Sequence, residues 1–161
     1  MQEESGETTI KKSEDAYYQA QAILSRRDHS EHEVRTKLAQ KGFAAERIDD
    51  VIGKLKQLKL IDDEKFAVMY VTNTLRFKNV GPRWLVHKLK EKRIAPDFIE
   101  PAVYGVMDEA KEEEFARAAA AAWRRSHSDK TGDRERLTRF LLSRGFSFEV
   151  AAHATDIESS E

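Results

Sequence analysis

Val34-xxx-Leu38-xxx-Gly42-Phe43 recurs as Leu85-xxx-Leu89-xxx-Arg93-Ile94 and again as Leu137-xxx-Leu141-xxx-Gly145-Phe146. The offsets are 51 and 52 residues. Five residues past each copy stands another apolar side chain, Ile48, Ile99 or Ala151, and four residues before each copy stands a helix-starting residue, Ser30, Gly81 or Asp133. Three similar units in tandem make an array, and an array reads as a binding surface more readily than as a catalytic pocket.

Outward from this template the apolar residues keep helical spacing, and alternation of the kind that makes strands is missing. Ala16, Ala20, Ile23 and Leu24 mark a first helix ending near Arg27. Ser30-Glu31-His32-Glu33 is a capping box that opens the second helix, and Gly42 closes it. A third helix carries Ile48, Val51, Ile52, Leu55 and Leu58 on one inward stripe. In the next unit Asp62 or Asp63 caps a helix with Phe66, Ala67, Tyr70 and Val71 inward. Gly81-Pro82 and then Pro96 start the two helices that follow, proline at the first turn giving up an amide that has no intrahelical partner. Pro101 lies within the last of these and admits a kink. The third unit has Phe115, Ala119 and Trp123 on one face of an alanine-rich helix, a longer loop over His127–Gly132, a helix capped by Asp133, and a short helix started by Ser147.

The expected fold is therefore all-α, with nine helices in three three-helix repeats over 14–61, 62–107 and 108–156. Residues 1–13 and the acidic stretch 157–161 are expected to be tails. One unit of about fifty residues buries only a marginal core alone, so neighbours should share burial. The expected molecule is an elongated, curved array, exceeding the roughly 15 Å radius of gyration of a compact chain of this length.

Composition narrows the chemistry. The chain has 161 residues, no cysteine, 35% charged side chains and a net charge of −1. Disulfides, thiolate zinc sites and thiol nucleophiles are excluded, and a reducing cytoplasmic setting is expected. No apolar run is long enough to span a membrane. The near-zero net charge hides a segregated distribution. Arg76, Lys78, Arg83, Lys88, Lys90, Lys92 and Arg93 face Glu91 alone, and seven cations between Arg124 and Arg144 face three acids. Such runs are often ordinary solvated helix faces, but they also let a near-neutral protein carry a basic side.

Catalytic readings have little support. The glycines are scattered without a phosphate-loop spacing, and no serine has nucleophile-elbow surroundings. His29-x-x-His32 is the one pair with metal-ligand spacing; with no cysteine and no third histidine nearby, it reads as two exposed histidines at a helix start. No cofactor is expected. Phe66, Tyr70, Phe98, Phe115 and Trp123 lie on inward stripes, whereas Phe77 and Trp84 flank the Lys78–Arg83 loop, where either can be an exposed anchor.

Asp62-Asp63-Glu64-Lys65-Phe66-Ala67-xx-Tyr70-Val71, followed by Lys78-xx-Gly81-Pro82-Arg83-Trp84-Leu85-xxx-Leu89, resembles the core signature of the RecX family of recombination regulators. Ala22-Ile23-Leu24-Ser25-Arg26-Arg27-xx-Ser30-xx-Glu33-Val34-xxx-Leu38-xx-Lys41-Gly42-Phe43 is similar to the family's first unit. The likeness covers about Ala16 to Asp156, and Arg93 stands where the family usually has glycine. The resemblance implies a non-enzymatic modulator of the RecA recombinase, acting on RecA–DNA filaments and inhibiting strand exchange, ATP hydrolysis and filament extension; a monomer is expected. Single-stranded DNA, and duplex DNA more weakly, would be contacted without regard to sequence.

The residues expected to face the filament are Arg76, Lys78, Arg83, Lys88, Lys92 and Arg93 in the second unit and Arg124, Arg125, Arg134 and Arg139 in the third. The alternative is a helix-turn-helix transcription regulator, which needs a recognition helix with base-reading side chains. The candidate third helices are acidic or apolar instead, with Asp49 and Asp50 in one and Glu100 in another. A protein–protein scaffold without nucleic acid is the remaining option if the cations prove scattered.

Overall fold

The computed structural model describes residues 15–127 and 133–156, so the expected tails and residues 128–132 of the third unit's loop lie outside the described residues. Among the described residues there are nine helices and no strand. They are α1 (15–24), α2 (Glu31–Gln40), α3 (Ala45–Gln57), α4 (Asp63–Phe77), α5 (Pro82–Glu91), α6 (Pro96–Tyr104), α7 (Glu109–Ser126), α8 (Asp133–Ser143) and α9 (Phe148–Asp156).

Local chemistry sets most helix starts. Ser30 Oγ accepts from the Glu33 amide while the Glu33 carboxylate accepts from the Ser30 amide, completing the capping box of α2. Asp62 is the cap of α4, accepting from the Lys65 amide at 3.0 Å. Asp63 turns elsewhere: its Oδ1 accepts from the Glu31 amide at 2.8 Å and so caps α2 from a distance. Asp108 caps α7 through the Lys111 amide, and the Ser147 hydroxyl accepts from the Val150 amide at the start of α9. Asp133 is the first residue of α8 rather than a residue preceding it. Pro96 opens α6, and the helix continues through Pro101.

The described residues divide into two compact units. The first runs to Phe66 and takes in Lys92–Ile94; the second comprises Ala67–Glu91 and the chain from Ala95 onward. In the first unit, Ala16, Ala20 and Ile23 of α1 close on Val34 and Leu38 of α2 and on Ile48, Val51, Ile52 and Leu55 of α3. Leu58, placed on the same inward stripe by its spacing, is 53% exposed, because α3 ends at Gln57 and Leu58 is already its C-cap. In the second unit, α5 packs on α6, and α7, α8 and α9 pack mutually around Ala116, Ala120, Leu137, Leu141 and Phe146.

One joint occurs twice, once in each unit. In the second, the Gly81 amide donates to the Arg144 carbonyl at 2.9 Å and the Arg83 amide to the Gly145 carbonyl at 3.1 Å. The N-terminal amides of α5 thus close the C-terminal carbonyls of α8, which neither helix can satisfy internally. The approach leaves no room for side chains. A Cβ on Gly81 would lie 2.3 Å from the Gly145 oxygen, and one on Gly145 would lie 2.2 Å from the Trp84 nitrogen. In the first unit the equivalent template positions meet through Ser30 Oγ, which donates to the Lys92 carbonyl at 3.2 Å, reinforced by Lys92 Nζ on Glu33 at 2.6 Å. All three template turns use the left-handed region, with φ of 87° at Gly42, 58° at Arg93 and 84° at Gly145.

Candidate functional site

The expected basic residues fall into two groups once their contacts are known. Three have internal roles. Lys92 is paired with Glu33 and lies over the Phe66 ring. Arg124 donates to the carbonyls of Ala154 and Thr155, holding the end of α9 to α7. Arg134 is ion-paired with Asp156. Each partner lies far away in sequence or outside the basic runs, which is why a linear reading counted all three as outward charges.

Within the second unit a tighter cluster forms around Trp84. Lys78 Nζ lies 5.2 Å and Lys88 Nζ 5.6 Å from the Trp84 ring centroid, so the indole face gathers two ammonium groups from the α4–α5 loop and from α5. Arg83 is exposed beside it, and Arg76 ends the same helix that carries Phe77. Lys88 also bonds Glu91 at 2.7 Å, which raises its pKa and keeps it charged. Arg76, Lys78 and Arg83 make no ion pair among the described residues, and all three are exposed. Arg125 on α7 and Arg139 on α8 are exposed as well, as is Arg93, which belongs to the first unit.

Phe77 is 86% exposed, the most open large apolar side chain described, and it sits between Arg76 and Lys78. Trp84 is half-buried beneath its lysines, so Phe77 is the exposed anchor of the two aromatics singled out. Arg144 is a member that motif reasoning passed over. Its carbonyl accepts from the Gly81 amide, which brings its backbone next to the Pro82-Arg83 start of α5, while its guanidinium lies 5.1 Å from the Phe140 ring centroid. The 52-residue offset between Gly81 and Asp133 marks equivalent positions; it does not reveal which copies touch.

His29 corrects an expectation. It is buried, 3% exposed, whereas His32 is exposed. His29 Nδ1 donates to the Arg27 carbonyl at 2.8 Å, which leaves Nε2 as the acceptor facing Lys37 Nζ at 3.0 Å. Burial, with Arg27 and Lys37 nearby, lowers its pKa and favours the neutral ring. Among the described residues no group of three or more His, Cys, Asp or Glu side chains is placed to hold a metal ion. No helix among them is long and apolar enough to cross a membrane. On α3, the recognition helix of the transcription-regulator alternative, the outward residues Asp49 and Asp50 are exposed acids.

The class these features define is an all-α protein of tandem three-helix domains that displays cations around an aromatic. Residues 16–55 match the model of the first three-helix domain of RecX, and residues 62–103 match that of the second. The chain is 32% identical over 142 residues to the regulatory protein RecX of Vibrio campbellii, covering 86% of this chain and 88% of that protein. It is also 32% identical over 133 residues to that of Finegoldia magna, of which it spans 64%. The crystal structure of RecX from Lactobacillus salivarius superimposes with a TM-score of 0.78 at 25% identity, covering 90% of this chain and 95% of the other. A second crystal structure, of regulatory protein RecX, gives 0.84 at 25% identity and covers 94% and 75%. The chain belongs to the RecX family of regulatory proteins.

Proposed function

We propose that the chain is a non-enzymatic regulator that binds the RecA–DNA filament and inhibits strand exchange, ATP hydrolysis and filament extension. Family membership supports the regulatory role. The observation that carries the binding mode is the pair of Lys78 and Lys88 on the Trp84 ring, with exposed Arg83 next to Trp84 in the chain and exposed Phe77 between Arg76 and Lys78. Arg76, Lys78 and Arg83, which make no ion pair among the described residues, can neutralise phosphates or acidic protein groups at little desolvation cost; Lys88 would have to share its charge with Glu91, and an open aromatic supplies a face for stacking or for a partner's pocket. The sites of action in the second unit are these four residues with Arg125 and Arg139, and in the first unit, as a separate contact, Arg93; Lys92, Arg124 and Arg134 have intramolecular duties first.

The test is a pull-down on RecA filaments assembled with and without single-stranded DNA. Arg83→Glu with Lys88→Glu should weaken retention at least tenfold while leaving helicity unchanged, and Phe77→Ala should weaken it by about fivefold, the equivalent of roughly 1 kcal/mol of stacking. Full retention of the charge-reversed protein on both kinds of filament would remove the cluster from the interface.

A further inference from the structure

A groove of about 350 Å³ opens in the first unit between α1 and α2, a size at the small end of ligand-binding clefts. Its walls carry three cations, Arg26 after α1 and Lys37 and Lys41 at the end of α2, and none of its lining residues is acidic. Ala22 and Ile23 supply its apolar lining, and Gln19 and Gln40 its uncharged polar lining.

Both acids of α2 are engaged elsewhere. Glu31 holds Arg35 and Lys56, and Glu33 holds Arg27 and Lys92. Cations at helix ends commonly answer the helix dipole. Here the two C-terminal ends supply only about half an elementary negative charge each, which leaves a surplus of about two positive charges. Lys37 is held in place by the neutral Nε2 of buried His29, a partner that orients its ammonium without neutralising it and leaves its other protons to donate. Lys37 and Lys41 are one helical turn apart, about 6 Å along the axis. A single strand can present successive phosphates at such a spacing.

We infer that this groove is a second nucleic-acid site, taking the phosphodiester backbone of a single strand with its sugars against Ala22 and Ile23. It belongs to the first unit and the Trp84 cluster to the second, so either can fail without the other. The full chain is titrated into a fluorescein-labelled oligothymidylate, comparing Arg26→Gln with Lys41→Gln against Arg83→Glu with Lys88→Glu. Lys37 is left intact because it contacts His29.

Loss of two phosphate contacts should lower the magnitude of the log–log salt slope by about 1.4 and weaken binding about 25-fold at 0.1 M salt, with unchanged circular dichroism. Unchanged affinity and slope in the Arg26/Lys41 variant overturns the groove even if the Arg83/Lys88 variant fails to bind. As a check independent of mutation, the oligothymidylate should shift the backbone amide resonances of Ala22 and Gln40 in the wild-type protein; their immobility overturns the proposal. Displacement of the oligothymidylate by poly-glutamate of equal charge at equal potency would assign the groove to acidic protein segments and also overturn it.

Discussion

Arg93 has φ of 58°, a conformation in which the Cβ of an L-residue crowds the following carbonyl. Lys59 shares it, with φ of 53°. Since Gly42 and Gly145 fill the corresponding turns of the other units, Arg93→Gly should raise the free energy of unfolding by about 1 kcal/mol in urea titration. Glu33 and His29 set the acid limits of stability. Burial alone would raise the Glu33 carboxyl, but the hydrogen bonds from Arg27, Lys92 and the Ser30 amide hold it at about 2, below its ordinary 4.5. A depressed carboxylate pKa contributes stability above the unfolded value and loses it as pH falls from 4.5 through about 2; the whole effect is on the order of 3 kcal/mol. His29 acts higher. Its folded pKa lies below the ordinary 6.5, so the unfolded chain takes up the proton first and stability declines as pH drops below 6.5. Urea unfolding across this range should show both losses, with His29→Gln flattening the upper and Glu33→Gln the lower. The capping box was legible because its four residues are contiguous. The burial of His29 was not, since it depends on how the α1–α2 turn folds beneath Lys37.

At the scale of helices and turns, the same glycine serves two different ends. A Cβ at Gly42 would meet nothing within 4 Å, so Gly42→Ala should cost only the left-handed backbone strain, about 1 kcal/mol. At Gly145 the same change drives a methyl into the Trp84 backbone and side chain, and the loss should be about 3 kcal/mol or more. Calorimetry of the two variants side by side checks this, and equal losses would mean the second joint is looser than its geometry implies. Helices α2, α3, α5 and α8 were readable from periodicity and punctuation alone, because helical spacing and caps are local. The joints were not, because an amide or hydroxyl meeting a carbonyl more than sixty residues away leaves no mark in a pattern of apolar side chains. Leu58 failed for a related reason: the stripe extends one residue past the point where the helix ends.

Across the whole molecule, balanced composition conceals unequal availability of charge. Net charge is −1, yet Lys92, Arg124 and Arg134 are held by groups of their own chain while Arg76, Lys78 and Arg83 make no described ion pair. If Arg76, Lys78, Arg83 and Lys88 each meet a phosphate of a single strand, the logarithm of the binding constant should fall against that of salt with a slope near −3. A flat salt response, measured from roughly 50 to 300 mM, would transfer the interaction to uncharged contacts. The sequence revealed where cations are dense. Which of them are spent depends on Glu33, Asp156 and the end of α9, all brought in by packing. The second joint has a further implication, for how freely the residues around it can change. Its clasp is built from amides and carbonyls, parts every residue except proline brings, so neighbouring positions can turn over while the fastening persists. All it demands is that two places in the chain, Gly81 and Gly145, stay bare.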